Sequence, residues 1–321
     1  MQSRRKFLIT TGVTAATALA GCTGGNQGAT PTDTTTTTTS TTTTTTTTSK
    51  PDVTVGEAKQ TLSKYKDLKT ALQDGYRSTH EFISSPKGGM GIHFVNPKLM
   101  KQKPDPTQPP ILMYNLSKTG QYSLMGAEWF VPAKAVETTP TLFGQKFDGP
   151  MPGHSPNQPK HYDLHAWLFK DNPNGTFAAF NPEVEPPKFM DTVAKTREAV
   201  KEYKDVAKAK EAGYKQEGKC VQTPKGGMGI HYINHDVKGI NPEKPPILMY
   251  EPTERGKQLI GVEWFVPADK VNSAPTLFSQ EFKGPMPGHT KNQPKHYELH
   301  AWFFQANPNG MFANFNPVVT C

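Results

Sequence analysis

Pro86-Lys-Gly-Gly-Met-Gly-Ile-His93 recurs letter for letter as Pro224-Lys-Gly-Gly-Met-Gly-Ile-His231. That match sets a register, and the rest of the chain follows it. Pro-Pro-Ile-Leu-Met-Tyr stands at 109–114 and 245–250, Glu-Trp-Phe-Val-Pro-Ala at 128–133 and 263–268, and Gly-Pro-Met-Pro-Gly-His at 149–154 and 284–289. Asn-Gln-Pro-Lys-His-Tyr follows at 157–162 and 292–297, Asn-Pro-Asn-Gly at 172–175 and 307–310, and Phe-Asn-Pro at 180–182 and 315–317. Residues 58–184 therefore align with 196–319, each of single-domain length. The domain reading is two tandem copies, 57–184 and 196–321, joined by a linker at 185–195 that contains a double proline.

Each copy opens with a helical pattern. Thr196 to Gly213 is rich in Ala, Glu and Lys, and Gly213 suits a C-terminal cap. Beyond it the texture changes to short apolar runs bounded by Gly, Pro and Asn. Ile92–Val95, Ile111–Tyr114, Leu124–Val131 and Tyr162–Phe169 read as strands. The fold class that follows is α+β: one N-terminal helix per copy, then a mostly antiparallel sheet, sandwich or small open barrel.

Two copies allow a comparison inside one chain. Four histidine pairs match: His93/His231, His154/His289, His161/His296 and His165/His300. His80 and His235 have no counterpart. The carboxylates that match are Asp67/Asp205, Glu128/Glu263 and Asp163/Glu298, and all four tryptophans match as well. Matched Trp and Pro residues are explained by packing and turns. A set of histidines with one or two acids is also the donor inventory for a divalent transition metal such as Zn, Fe, Mn or Cu.

Geometry limits how such a set can be used. The run His161-Tyr-Asp-Leu-His165-Ala-Trp alternates like a strand. Same-face neighbours on a strand are about 6.8 Å apart, and residues four apart about 13 Å. His161 and His165 then cannot share one ion, which leaves His161 with Asp163, or Asp163 with His165. A helix would bring the two histidines together, as in His-Glu-x-x-His zinc helices, but Tyr162 and Tyr297 replace the glutamate. Glu128 lies in an apolar run and needs a partner if buried. The expected site combines His93, Glu128 and His165, completed by Asp163 or His154. In copy two its equivalents are His231, Glu263, His300, Glu298 and His289, with His161 and His296 as further candidate ligands. Gly-Gly-Met-Gly is not a phosphate loop, because no Lys-Ser/Thr follows it. No Gly-x-Ser-x-Gly is present.

The run from Met90-Gly-Ile-His93 through Glu128-Trp-Phe, His161-Tyr-Asp-Leu-His165-Ala-Trp and Asn172-Pro-Asn-Gly to Phe180-Asn-Pro resembles a family of secreted bacterial proteins of unknown function. Members often end in a Cys shortly after the Asn-Pro, as copy two does at Cys321. The resemblance covers both copies and implies no activity. Cupins use His and Glu for metal on small barrels, but their closely spaced His-x-His is missing here.

The N-terminus reads as an address. Arg4-Arg5 precedes a short apolar run that ends in Leu19-Ala20-Gly21-Cys22. This resembles a twin-arginine signal with a lipobox (residues 1–22), whose Cys22 would carry lipid. Residues 23–56 read as a disordered, threonine-rich tether with no apolar surface to bury. The expected location is outside the cytoplasm, lipid-anchored to the cell membrane, with a small ligand or a wall component as partner. The formal charge of +8 is spread along the chain without a Lys/Arg block interleaved with aromatics, so nucleic acid is not an expected partner. Outside the cell Cys220 and Cys321 are expected to pair. Two further readings stay open beside metal or ligand binding: a metal-dependent enzyme at the same sites, and a purely structural envelope protein.

Overall fold

The computed structural model describes residues 53–100, 103–154, 158–289 and 293–321. The signal, Cys22 and all of the threonine runs lie outside the described residues.

Copy one runs α1 (Val55–Leu62), α2 (Leu68–Gln73), β1 (Arg77–Ser85), β2 (Gly88–Val95), β3 (Ile111–Leu116), β4 (Tyr122–Pro132), β5 (Thr141–Leu142), β6 (Gln145–Lys146), β7 (Asp148–Met151) and β8 (His161–Ala166). Copy two repeats it: α3 (Met190–Val200), α4 (Val206–Glu211), β9 (Lys215–Thr223), β10 (Gly226–Ile233), β11 (Ile247–Thr253), β12 (Gly256–Pro267), β13 (Thr276–Leu277), β14 (Gln280–Glu281), β15 (Lys283–Met286) and β16 (His296–Ala301). Each copy forms a curled, six-stranded half-barrel, ordered β1-β2-β3-β4-β8-β7 and β9-β10-β11-β12-β16-β15. Every pairing is antiparallel. The protein is α+β, as the sequence indicates.

The helical segment differs in detail from a single helix. It breaks after a 3₁₀ turn, Ser63–Lys66 in copy one and Lys201–Lys204 in copy two. The matched Asp67 and Asp205 cap the second piece, accepting from the backbone N–H of Lys69 and Ala207 at 3.0 and 2.9 Å. The break frees carbonyls that need donors. Buried tyrosines of β3 and β11 supply them: Tyr114 donates to the Tyr65 carbonyl at 2.5 Å and Tyr250 to that of Tyr203 at 2.6 Å.

Two boundaries move. α1 begins at Val55, inside the stretch read as tether, and α3 begins at Met190, inside the stretch read as linker. Phe189, Met190 and Val193 are buried, so this connection is packed against the domains. Residues of both copies share one hydrophobic core.

Strand alternation sorts the sheet into two faces. Ile92, Phe94, Leu112, Tyr114, Ala127, Trp129, Leu164 and Ala166 point into the shared core with the helices. The opposite face carries His93, Glu128, His161, Asp163 and His165, beside a small second cluster of Met113, Met125, Trp167 and Val184.

Cys220 and Cys321 form a disulfide with a Cα–Cα distance of 5.6 Å and a sequence separation of 101. Closing a loop of this length stabilises by about 4–5 kcal/mol in the chain-entropy model. In copy one the equivalent of Cys220 is Phe82, which packs instead against the cluster of Met113, Met125, Trp167 and Val184.

Candidate metal centres

Register places the site residues. Across β4 and β8, Glu128 stands opposite His165, Phe130 opposite Asp163, and Pro132 opposite His161. β12 and β16 repeat this with Glu263 and His300, Phe265 and Glu298, and Pro267 and His296. His161, Asp163 and His165 are strand residues two apart, so they line one face. The strand ends at Ala166, earlier than the Phe169 suggested by the sequence. His93 reaches Glu128 from β2, over β3.

The single point of convergence expected from the sequence is instead two neighbouring groups per copy. The inner group of copy two is His231, Glu263 and His300; the outer group is His289, His296 and Glu298. In copy one the outer group is His154, His161 and Asp163, and the inner one joins Glu128, Asp163 and His165. Each of these groups holds ligand-type atoms close enough to surround one ion. His154 therefore sits with His161 rather than with His93.

The inner distances are alike in both copies. His165 Nε2 lies 3.6 Å and His93 Nδ1 3.6 Å from Glu128 Oε2. His300 Nε2 lies 3.5 Å and His231 Nε2 3.3 Å from Glu263 Oε2. In the outer groups, His161 Nε2 stands 3.8 Å from Asp163 Oδ2, while His289 and His296 stand 3.3 and 3.5 Å from Glu298 Oε2. Most of these are long for hydrogen bonds, whose N–O mode is about 2.9–3.0 Å. They fit ligands of a shared ion: two atoms about 2.0–2.1 Å from a tetrahedral cation stand about 3.4 Å apart.

Unmet polar atoms concentrate here. Among the described residues, seven of the eleven buried side-chain polar atoms without a hydrogen-bond partner belong to these groups, and an eighth, on His93, belongs to the imidazole that faces Glu128. They are His93 Nε2, Glu128 Oε2, His161 Nε2, His296 Nε2 and both nitrogens of His165 and His300. Such orphans are rare in folded proteins and call for a cause.

The outer histidines are preset as ligands. His161 Nδ1 is 3.0 Å from the Pro159 carbonyl and His296 Nδ1 is 3.1 Å from that of Pro294. A carbonyl only accepts, so Nδ1 carries the proton and Nε2 keeps its lone pair for the group's centre. Phe130 and Phe265 stack on these imidazoles at centroid distances of 4.5 and 4.4 Å. Gln158 and Gln293 fix the loop by accepting from the backbone N–H of His154 and His289 at 2.8 and 2.7 Å. The matched Gln-Pro-Lys segment thus positions the outer group, a role its sequence did not specify.

The copies balance charge differently. Burial, followed by Asp163, holds the Glu128 carboxyl well above the usual range. Burial, with Asp148 directly across the ladder, raises Asp163 to about 7. Burial lowers His93 to about 4 and His165 to about 3, with neighbouring histidines adding to it. In copy two burial opposes ionisation of Glu263, but His300, His231 and His289 hold it at about 2. Lys283 takes the place of Asp148 there, opposite Glu298. Asn314, which sequence comparison missed because copy one has Ala179, donates to Glu298 Oε1 at 2.7 Å and accepts from Lys283 at 2.6 Å.

Comparison with protein-family models, curated proteins and solved structures finds no match to this chain.

Proposed function

We propose that each repeat binds a divalent transition metal through its His/carboxylate groups, on a protein that is exported and held at the membrane by lipid on Cys22. The observation that carries this is the convergence of orphaned imidazole nitrogens and a carboxylate oxygen, repeated in both copies. A purely structural set would spend those atoms on local hydrogen bonds. Two imidazoles and one carboxylate suit zinc, and the ligand-type atoms of each group lie close enough to surround one ion. Iron, manganese and copper are the other ions this donor set accepts. The twin-arginine address agrees with a metal loaded before export.

A metal-dependent enzyme is the second reading, and one observation favours it. The outer group opens to solvent through His289, whose side chain is 57% exposed. Two histidines and a carboxylate leave a coordination position for a small ligand, a wall component or water.

The test is element analysis of the intact chain purified without chelator, with the mass of its N-terminal peptide read from the same preparation. At least one ion per repeat is expected, with diacylglycerol on Cys22. Less than about 0.2 metal per chain, with no uptake of added Zn, Fe, Mn or Cu, removes the metal reading. An unmodified Cys22 removes the anchor.

A further inference from the structure

We propose that each repeat holds two metal ions, an inner and an outer, coupled through one imidazole–carboxylate pair: His165–Asp163 in copy one and His300–Glu298 in copy two. This rests on the metal-binding reading above and deepens it.

One ion cannot serve the whole set. Along β8, His161 and His165 are four residues apart on one strand face, a separation of about 13 Å between backbone positions, whereas ligand bonds are about 2 Å. The carboxylate between them faces both ways. Glu298 Oε2 meets His289 and His296 of the outer group, and its other oxygen, Oε1, lies 3.8 Å from His300 Nδ1. His300 turns its second nitrogen, Nε2, to Glu263 of the inner group. Copy one repeats the chain of contacts: Asp163 Oδ2 to His161, Asp163 Oδ1 to His165 Nδ1 at 4.0 Å, and His165 Nε2 to Glu128.

A neutral imidazole has one lone pair to give and one N–H to donate. Nδ1 of this ring has no hydrogen-bond partner and stands 4.0 Å from the carboxylate in copy one and 3.8 Å in copy two. With Nε2 on the inner ion it carries the proton, and closing on that oxygen would make the carboxylate the orienting partner of the ring. The same carboxylate gives its other oxygen to the outer ion. In copy two it is thus a ligand of one ion and the orienting partner of a ligand of the other; in copy one Asp163 also stands within ligand distance of Glu128 and His165, so it faces the inner group directly as well. In copy two, whose groups share no residue, the imidazole ring stands between the two positions, so they are not the closely bridged pair, about 3.5–4 Å apart, of two-metal hydrolysis.

The positions differ in access. Residues of the inner groups are nearly closed, with His93, Glu128 and His165 8%, 6% and 2% exposed. The outer groups end in the exposed His154 and His289. The outer ion exchanges with solvent and keeps room for a ligand; the inner ion is slow to leave.

The experiment loads the intact chain with Zn²⁺, removes the excess, counts the metal, and follows its release to a chelator. About four ions per chain, leaving in a fast and a slow phase of equal amplitude, are expected. Two ions leaving in one phase overturn the proposal but keep the metal reading; none overturns both. Paired variants then test the coupling, with thermal melts to check folding. H161A/H296A is expected to lose the fast phase and leave the slow one unchanged. D163N/E298Q is expected to lose the fast phase and also to weaken the inner sites by about 10–100-fold. Inner affinity equal in the two double variants overturns the coupling.

Discussion

His80 is one of the two histidines with no counterpart in the other copy, and its surroundings differ from those of the matched set. Its backbone lies in the left-handed region at φ 60° within β1. The Arg197 guanidinium donates to its carbonyl at 3.0 Å. Its Nδ1 is buried without a partner. Burial lowers the imidazole to about 3, Arg197 and Lys204 reinforce this, and a backbone hydrogen bond with Phe304 opposes it. A histidine titrating lower in the folded chain than in the unfolded one binds fewer protons in the folded state between those two values. Stability from this residue is complete above about pH 6.5 and is lost as pH falls toward 3. Urea unfolding midpoints measured from pH 6.5 to 4 at fixed ionic strength check it: H80Q is expected to flatten the decline, and an unchanged slope contradicts the assignment.

At the scale of elements, β4 and β12 hold the sites because they can lie very close to their neighbours. A Cβ built at Gly126 would stand 2.1 Å from the Ala166 carbonyl oxygen, and one at Gly261 2.6 Å from that of Ala301. These contacts are to backbone, which cannot turn aside. They flank the rungs where Glu128 meets His165 and Glu263 meets His300. G126A is therefore expected to cost at least about 1–3 kcal/mol and to move β8 relative to β4. Thermal melts and metal titration of the variant check both effects. The glycines that open β2 have the same cause: a Cβ at Gly88 would lie 2.1 Å from the Asn181 carbonyl. Gly89 and Gly227 instead form isolated bridges to Asn181 and Asn316.

For the whole molecule, the repeats differ where one packs on the other. Met311 and Phe312 of copy two are buried against the β3–β4 hairpin of copy one, where Met311 N–H donates to the Gly120 carbonyl at 2.8 Å. Phe312 also meets Phe189 of the connection at 5.3 Å between centroids. Their counterparts in copy one are Thr176, which is exposed, and Phe177, which is half-buried. Gln121 and Gln280 add hydrogen bonds to backbone carbonyls of the other copy, Asn309 and Lys118. With one core running through both copies, denaturant unfolding is expected to be a single transition that F312A destabilises by about 3–5 kcal/mol. Two separate transitions in the unaltered protein would contradict the shared core.

Sequence by itself determined the duplication, the α+β class, the strand character of the 161–166 segment, the pairing of Cys220 with Cys321, and which histidines and acids are matched. These are readable because repetition, period-2 alternation and cysteine position are properties of the chain in order. Only the tertiary structure decided that the matched groups separate into inner and outer sets, that Asp163 and Glu298 face both, and that Asn314, Lys283, Pro159 and Pro294 orient them. Those relations run between strands far apart in the chain, and bulges between Met113 and Tyr114 and between Met249 and Tyr250 shift the register from which they follow. A strand's sequence states which residues share its face, but not which residue of another strand lies opposite.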